Sequence, residues 1–259
     1  MFRAVNRLIC AATEILLPRL CVVCGKRMNL DERHMCIGCL YDLPRTFFWI
    51  RHHNPMADRF NALVQEGISE RVMENGKEEY AYAIALFFYE GESGYANITR
   101  QLKYHGNIDA GRYFAKMLGN RIASCAWFSD VDLVVPVPLH RKRRWERGYN
   151  QAEVIAGEIA ACLGVPMNAG MLERVRSTKS QAKLDSAQKR LNVKGAFKVR
   201  KSTSGLLSAD GSPIFRHILL VDDVFTTGST LHACFQALRT VFPPSVRISV
   251  ATLGFVGGP

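Results

Sequence analysis

The stretch Ile218-Leu219-Leu220-Val221-Asp222-Asp223-Val224-Phe225-Thr226-Thr227-Gly228-Ser229-Thr230 decides the fold. Four apolar residues run into two carboxylates, a Thr/Gly/Ser turn follows, and Leu231, Cys234, Phe235 and Leu238 then recur at helical spacing. This is a buried strand over 218–221, a turn and a helix. The turn presents backbone amides and hydroxyls at the positive end of that helix, an arrangement that binds a phosphate monoester. Gly228 lets the backbone approach the phosphate oxygens closely. The carboxylates precede the turn by one step, within reach of sugar hydroxyls. One pocket is therefore expected to read a ribose 5-phosphate, with acids for the diol and amides for the phosphate.

Neither a GxxxxGK[ST] phosphate loop nor a GxGxxG dinucleotide fingerprint occurs in the chain. The stretch resembles the 5-phosphoribosyl-1-pyrophosphate (PRPP) loop of the type I phosphoribosyltransferases. The surroundings agree with a sheet of that kind. A strand-like run follows Tyr80, then a helical segment ending in Leu102-Lys103-Tyr104-His105-Gly106, a helix over 112–122 and a strand over 131–135. A helix over 151–163 and a last strand over 247–253 complete the alternation, while 198–213 reads as an exposed Ser/Gly-rich loop. Strands alternating with helices predict an α/β fold, a mostly parallel sheet covered on both faces. Ligands of such sheets bind beyond the carboxyl ends of the strands.

A second constellation stands at one such end. Val134-Val135-Pro136-Val137-Pro138-Leu139-His140 leads into a run with five bases, Arg141, Lys142, Arg143, Arg144 and Arg147, against one acid, Glu146. Trp145 and Tyr149 are interleaved with them, and Gly148-Tyr149-Asn150-Gln151 follows. The run reads as a loop for pyrophosphate or as a solvated charge run. Rings among guanidinium groups also match single-stranded DNA binding, in which bases stack and phosphates pair with cations; packing of the same rings is the alternative. The formal net charge of +11 likewise favours a polyanionic partner.

Four of the eight cysteines form two knuckles, Cys21-x2-Cys24 and Cys36-x2-Cys39. Two such turns complete a tetrahedral S4 shell of the kind that holds structural Zn²⁺. Disulfides are the alternative, and a reducing compartment disfavours them. Ahead of the knuckles, Val5, Leu8, Ile9, Ala12, Ile15 and Leu16 trace an amphipathic helix ended by Pro18. The expected organisation is a helix and zinc-ribbon module over 1–50, a linker with some helix over 51–79, and a phosphoribosyltransferase-like domain over 80–259. No signal peptide or membrane-spanning run is read, so the expected compartment is the cytoplasm, without membrane association.

Taken in order, the two cysteine knuckles, LeuLysTyrHisGly at 102–106, ProValProLeuHis at 136–140, ArgGlyTyrAsnGln at 147–151, the segment from Arg174 to Arg190-Leu191-Asn192 and the acid-pair loop resemble the ComF family over nearly the full length. The resemblance implies a type I phosphoribosyltransferase-like fold, an amino-terminal zinc finger, and a role in DNA uptake during natural transformation beside competence-machinery proteins such as a helicase. It implies that Asp222 and Asp223 bind the ribose hydroxyls of PRPP and that Thr226, Thr227, Gly228, Ser229 and Thr230 hold its 5-phosphate. Lys103 and Arg141 face the pyrophosphate, bridged by Mg²⁺, and Arg174, Arg176, Thr178 and Gln181 belong to a hood loop. Residues 224–230 hold no carboxylate to act as a base toward a nucleobase acceptor, so whether the chain is a transferase stays open. The alternative function is a phosphoribosyltransferase of nucleotide or nucleobase metabolism.

Overall fold

The structure is a computed structural model that describes residues 18–68, 78–104, 106–176, 195–200 and 213–258. The amphipathic segment over 5–16, Thr178, Gln181 and residues 201–212 of the Ser/Gly-rich loop lie outside the described residues.

Strands β1 (Ala83–Phe88), β2 (Leu133–Pro136), β5 (His217–Phe225) and β6 (Arg247–Phe255) form a wholly parallel sheet in the order β1-β6-β5-β2. Both faces are covered, which is why these strands read as unbroken apolar runs. Helices α4 (Ile108–Ala123) and α6 (Gln151–Leu163) pack together on one face. They approach closely at Gly119, where an added Cβ would lie 2.8 Å from Cys162 Sγ. Helices α2 (Pro55–Ile68) and α7 (Ser229–Leu238) cover the other face. A short antiparallel pair, β3 (Leu172–Arg174) and β4 (Phe197–Val199), packs on α7.

Helix α2 falls in the stretch between the cysteine module and the first strand. Its Met56, Ala57 and Phe60 are fully buried. Asn54 fixes its start: the side-chain oxygen accepts from the Met56 and Ala57 N–H groups, and the amide donates to the Ala83 carbonyl at 3.0 Å. The chain just before it covers the free edge of β1, with Phe88 N donating to Pro44 O at 2.7 Å and Thr46 N to Leu86 O at 3.3 Å. Covered edges do not template pairing with other chains. At the amino end of the sheet, fully buried His217 bridges Asp130 Oδ1 and Ser249 Oγ, each at 2.7 Å, and so joins β5 to β6.

Two elements differ from the sequence reading. Strand β5 runs on through both carboxylates to Phe225, because the long neighbour β6 offers ladder partners opposite Asp222, Val224 and Phe225. The basic run is a helix, α5 (Arg141–Arg147), instead of a loop. The His140 ring accepts from Lys142 N at its start, and Gly148 ends it in the left-handed conformation (φ 78°). Arginine and lysine are good helix formers, and between those two caps their charge does not prevent the turn from closing.

Candidate functional site

Strand alternation sends adjacent side chains to opposite faces, and the acid pair inside β5 obeys it. Asp223 points to the face that carries α3 (Ala96–Tyr104). There it meets Lys103 Nζ at 2.6 Å. Burial works against the Lys103 ammonium, but the Asp223 charge outweighs it and holds the lysine above its ordinary value. Asp222 points the other way, toward Arg174 on β3 and the buried thiol of Cys234 on α7. Burial, reinforced by the neighbouring Asp223 charge, pushes the Asp222 carboxyl up to about 7. Its oxygen accepts from the Asp223 N–H at 2.9 Å. Arg174 is itself lowered, first by burial and then by the positive charge of Arg143.

The turn after β5 wraps the start of α7. Gly228 sits in the left-handed region (φ 77°), and a Cβ there would lie 2.6 Å from the Phe225 ring and 2.9 Å from Leu63. No other residue fits. The Thr227 and Ser229 hydroxyls are 2.8 Å apart. Arg59 of α2 donates to Val256 O at 2.9 Å, reaches Thr226 O at 3.5 Å, and lies over the Phe255 ring. Sequence reasoning missed Arg59. It lies more than 160 residues from the loop it braces, and no motif marks it.

The ArgGlyTyrAsnGln motif clamps the LeuLysTyr motif. The Tyr149 hydroxyl donates to the Leu102 carbonyl, and the Arg147 guanidinium lies over the Tyr104 ring at 5.3 Å. Arg147 is held in turn by the Gln151 side-chain oxygen at 2.9 Å. Asn150 is buried, caps α6 through Ala152 N and donates to Val137 O at 2.9 Å. These contacts fix Lys103 beside Asp223 and bring the basic helix next to them. Arg144 pairs with Glu153 at 2.7 and 3.1 Å. Arg141, Lys142 and Trp145 are exposed, and Arg143 is half-buried. Tyr149 is half-buried against the core, so the contact it makes is structural. Arg176 is described but outside any strand or helix.

The four sulfurs of Cys21, Cys24, Cys36 and Cys39 all lie within 4.8 Å of one another, with Cys24 and Cys36 Sγ 3.7 Å apart. Four thiolates about 2.3 Å from a tetrahedral Zn²⁺ stand roughly 3.8 Å apart, so the cluster fits that ion. Burial pushes the Cys21 thiol up, but the Cys24, Cys36 and Val23 backbone N–H groups bring it down to about 7. Burial and the neighbouring sulfurs push Cys39 up, a conflict that a divalent cation relieves. His34 is outside the cluster and packs on the Tyr113 ring, 5.4 Å between centroids. The module is stitched to the sheet: Tyr95 OH donates to Cys39 O at 3.1 Å, and a Cβ at Gly94 would lie 2.7 Å from Val23 O. Among the described residues, no helix is long and apolar enough to cross a membrane.

Residues 150–253 match the family described as "Phosphoribosyl transferase domain". The chain is 26% identical to "Competence protein F" of Haemophilus influenzae over 88% of its own length and 94% of that protein. It is 30% identical to "DNA utilization protein YhgH" of Salmonella typhi over 54% of its length and 59% of that protein. Among solved structures, the adenine phosphoribosyltransferase of Trypanosoma brucei aligns over 81% of this chain and 87% of that one, with 14% identity and a TM-score of 0.34. The parallel sheet flanked by helices, the domain match and the amino-terminal four-cysteine cluster together give the phosphoribosyltransferase-like fold that the sequence led us to expect.

Proposed function

Because the chain belongs to the ComF family of competence-associated phosphoribosyltransferase-like proteins, we propose that it binds PRPP together with Mg²⁺ at the carboxyl end of β5 and handles single-stranded DNA beside that site. The observation that carries this reading is the Lys103–Asp223 pair near the carboxyl end of β5, just ahead of the turn that opens α7. A cation, two carboxylates on opposite faces of the strand and a helix start gather at the carboxyl end of β5, and that donor set fits the parts of PRPP. The Thr226–Thr230 backbone and hydroxyls hold the 5-phosphate, where the helix dipole favours negative charge. Asp222 and Asp223 accept from the ribose diol. Lys103 and the basic helix face the pyrophosphate, and Mg²⁺ when bound supplies charge neutralisation at the leaving group. Arg59 keeps the phosphate loop in place through two carbonyls. Zn²⁺ at Cys21, Cys24, Cys36 and Cys39 serves the fold, not the chemistry.

The basic helix carries the DNA part of the proposal. Its exposed Arg141, Lys142 and Trp145 are placed for a phosphate backbone and a base. The relatives' names, a competence protein and a DNA utilization protein, agree with it. Calorimetry with PRPP and Mg²⁺ tests the ligand. The double variant Asp222→Asn, Asp223→Asn should abolish binding while the sheet stays folded by circular dichroism, and unchanged affinity in that variant sinks the assignment. Pyrophosphate release in the presence of nucleobases or DNA ends then decides whether transfer occurs.

A further inference from the structure

Tyr104 has a property that its half-buried neighbour Lys103 lacks: it is 70% exposed at the end of α3. An exposed tyrosine ring is ordinarily free to swing, but this one lies under the Arg147 guanidinium, 5.3 Å from its centroid. Arg147 is itself fixed by Gln151, and the helix end beneath the ring is fixed by the Tyr149 bond to Leu102. The ring is thus held ready before any ligand arrives, so little rotamer entropy is left to lose on binding. The residue before it contacts Asp223, so the ring stands one residue along the chain from the acid-pair site. Helix α5 carries a second exposed ring, Trp145, 87% exposed and with Arg144 and Glu146 as its chain neighbours. Such surface aromatics bury little in the fold. Two of them next to five bases and one acid have the composition of a surface that stacks bases and pairs phosphates.

We propose that Tyr104, held on Arg147, is a base-stacking ring for single-stranded DNA, and that it holds one base of the strand next to the Lys103–Asp223 end of the phosphoribosyl site. This deepens the reading of that site and rests on it for the pocket's ligand, but the stacking itself does not require PRPP. The strand's phosphates run along α5, where Arg141 and Lys142 are exposed. The base lies against the face of Tyr104 away from Arg147, so the guanidinium and the base sandwich the ring and the cation strengthens the stack. The arrangement tolerates any base, because every base has a π-face.

The test uses the full chain and oligonucleotides carrying 2-aminopurine, whose fluorescence is quenched by aromatic stacking. Wild-type protein should quench a single-stranded probe. With one 2-aminopurine per strand, Tyr104→Leu should lose most of the quench and weaken affinity about 5- to 100-fold, the range of one base stack. Tyr104→Phe should keep both quench and affinity, because the ring is what matters. PRPP calorimetry on the same samples separates the two readings. Lost quench with intact PRPP binding supports the proposal, and the quench result stands alone if wild-type protein fails to bind PRPP. Full quench and unchanged affinity in Tyr104→Leu overturn it, as does quenching of duplex probes equal to that of single strands.

Discussion

Lys103 Nζ lies 2.6 Å from a carboxylate oxygen of Asp223, and the two come from different layers of the molecule: the lysine from a helix, the aspartate from the central strand beneath it. Neither side chain is well exposed, at 27% and 12%. Removing one partner of such a pair leaves a poorly solvated charge behind. Lys103→Ala should therefore destabilise the fold by about 1–3 kcal/mol and weaken PRPP binding. Adding Asp223→Asn should recover much of the stability and none of the binding. Urea unfolding of the three variants checks this, and an additive double mutant contradicts the coupling.

The second carboxylate titrates differently. In the fold Asp222 is raised to about 7, above the ordinary carboxylate value it has in the unfolded chain. The unfolded chain thus gives up this proton at a lower pH, and the fold loses stability as pH rises from about 4 through about 7. Asp222→Asn removes the ionisation. Without ligand, the variant should match wild type near pH 4 and exceed it at pH 8 by about 1–3 kcal/mol, read from denaturation at both pH values.

Gly228 is irreplaceable for two reasons at once: its backbone is left-handed, and its missing side chain makes room for Phe225 and Leu63. Gly228→Ala should cost about 2–4 kcal/mol from strain and overpacking. It should also lower PRPP affinity, since the same residue starts the phosphate turn. Thermal unfolding and calorimetry report the two effects. A stability loss with no change in affinity would separate the turn from the ligand.

For the four-cysteine cluster the expectation is one Zn²⁺ per chain. Cys36→Ser should lose the metal and raise amide exchange over residues 18–48 while β5 and β6 stay protected. Elemental analysis of protein purified without chelator checks the stoichiometry, and less than one third occupancy counts against it.

If the basic helix contacts a single strand, each neutralised phosphate adds about −0.7 to the slope of log affinity against log salt. Lys142→Ala with Arg144→Ala should flatten that slope by roughly 1–2 units. Arg144 already pairs with Glu153, so the smaller change is expected unless DNA displaces that contact. A slope untouched by the double replacement moves the DNA path off α5.

Where local chemistry sets an element, the sequence showed it. Helix α6 begins and ends where it was read, at Gln151 and Leu163, because a capping asparagine precedes it and a left-handed glycine follows. The cysteine spacing placed four sulfurs together for the same reason, since two tight turns leave the thiols little choice. Elements set by a distant partner were not legible. Apolar periodicity stops at Val221, but the ladder of β5 continues because β6 lies alongside. The opposite facing of Asp222 and Asp223 follows from that extension, so it too was hidden. Arg143, read as a nucleic-acid candidate, also lies close enough to Arg174 for its charge to lower that arginine. That proximity needs the packing of β3 against α7, which no spacing announces.

The chain leaving the cysteine module passes, with no intervening linker, into the segment that pairs with the outer edge of β1. Metal content and colloidal behaviour are thereby joined. If a metal holds the module, chelation should loosen it, free Pro44 and Thr46 from the sheet, and leave the Leu86 carbonyl and Phe88 amide as an open template for a strand of another molecule. Protein handled in chelating buffer should accordingly drift toward β-rich oligomers, with the β5–β6 ladder still paired inside them.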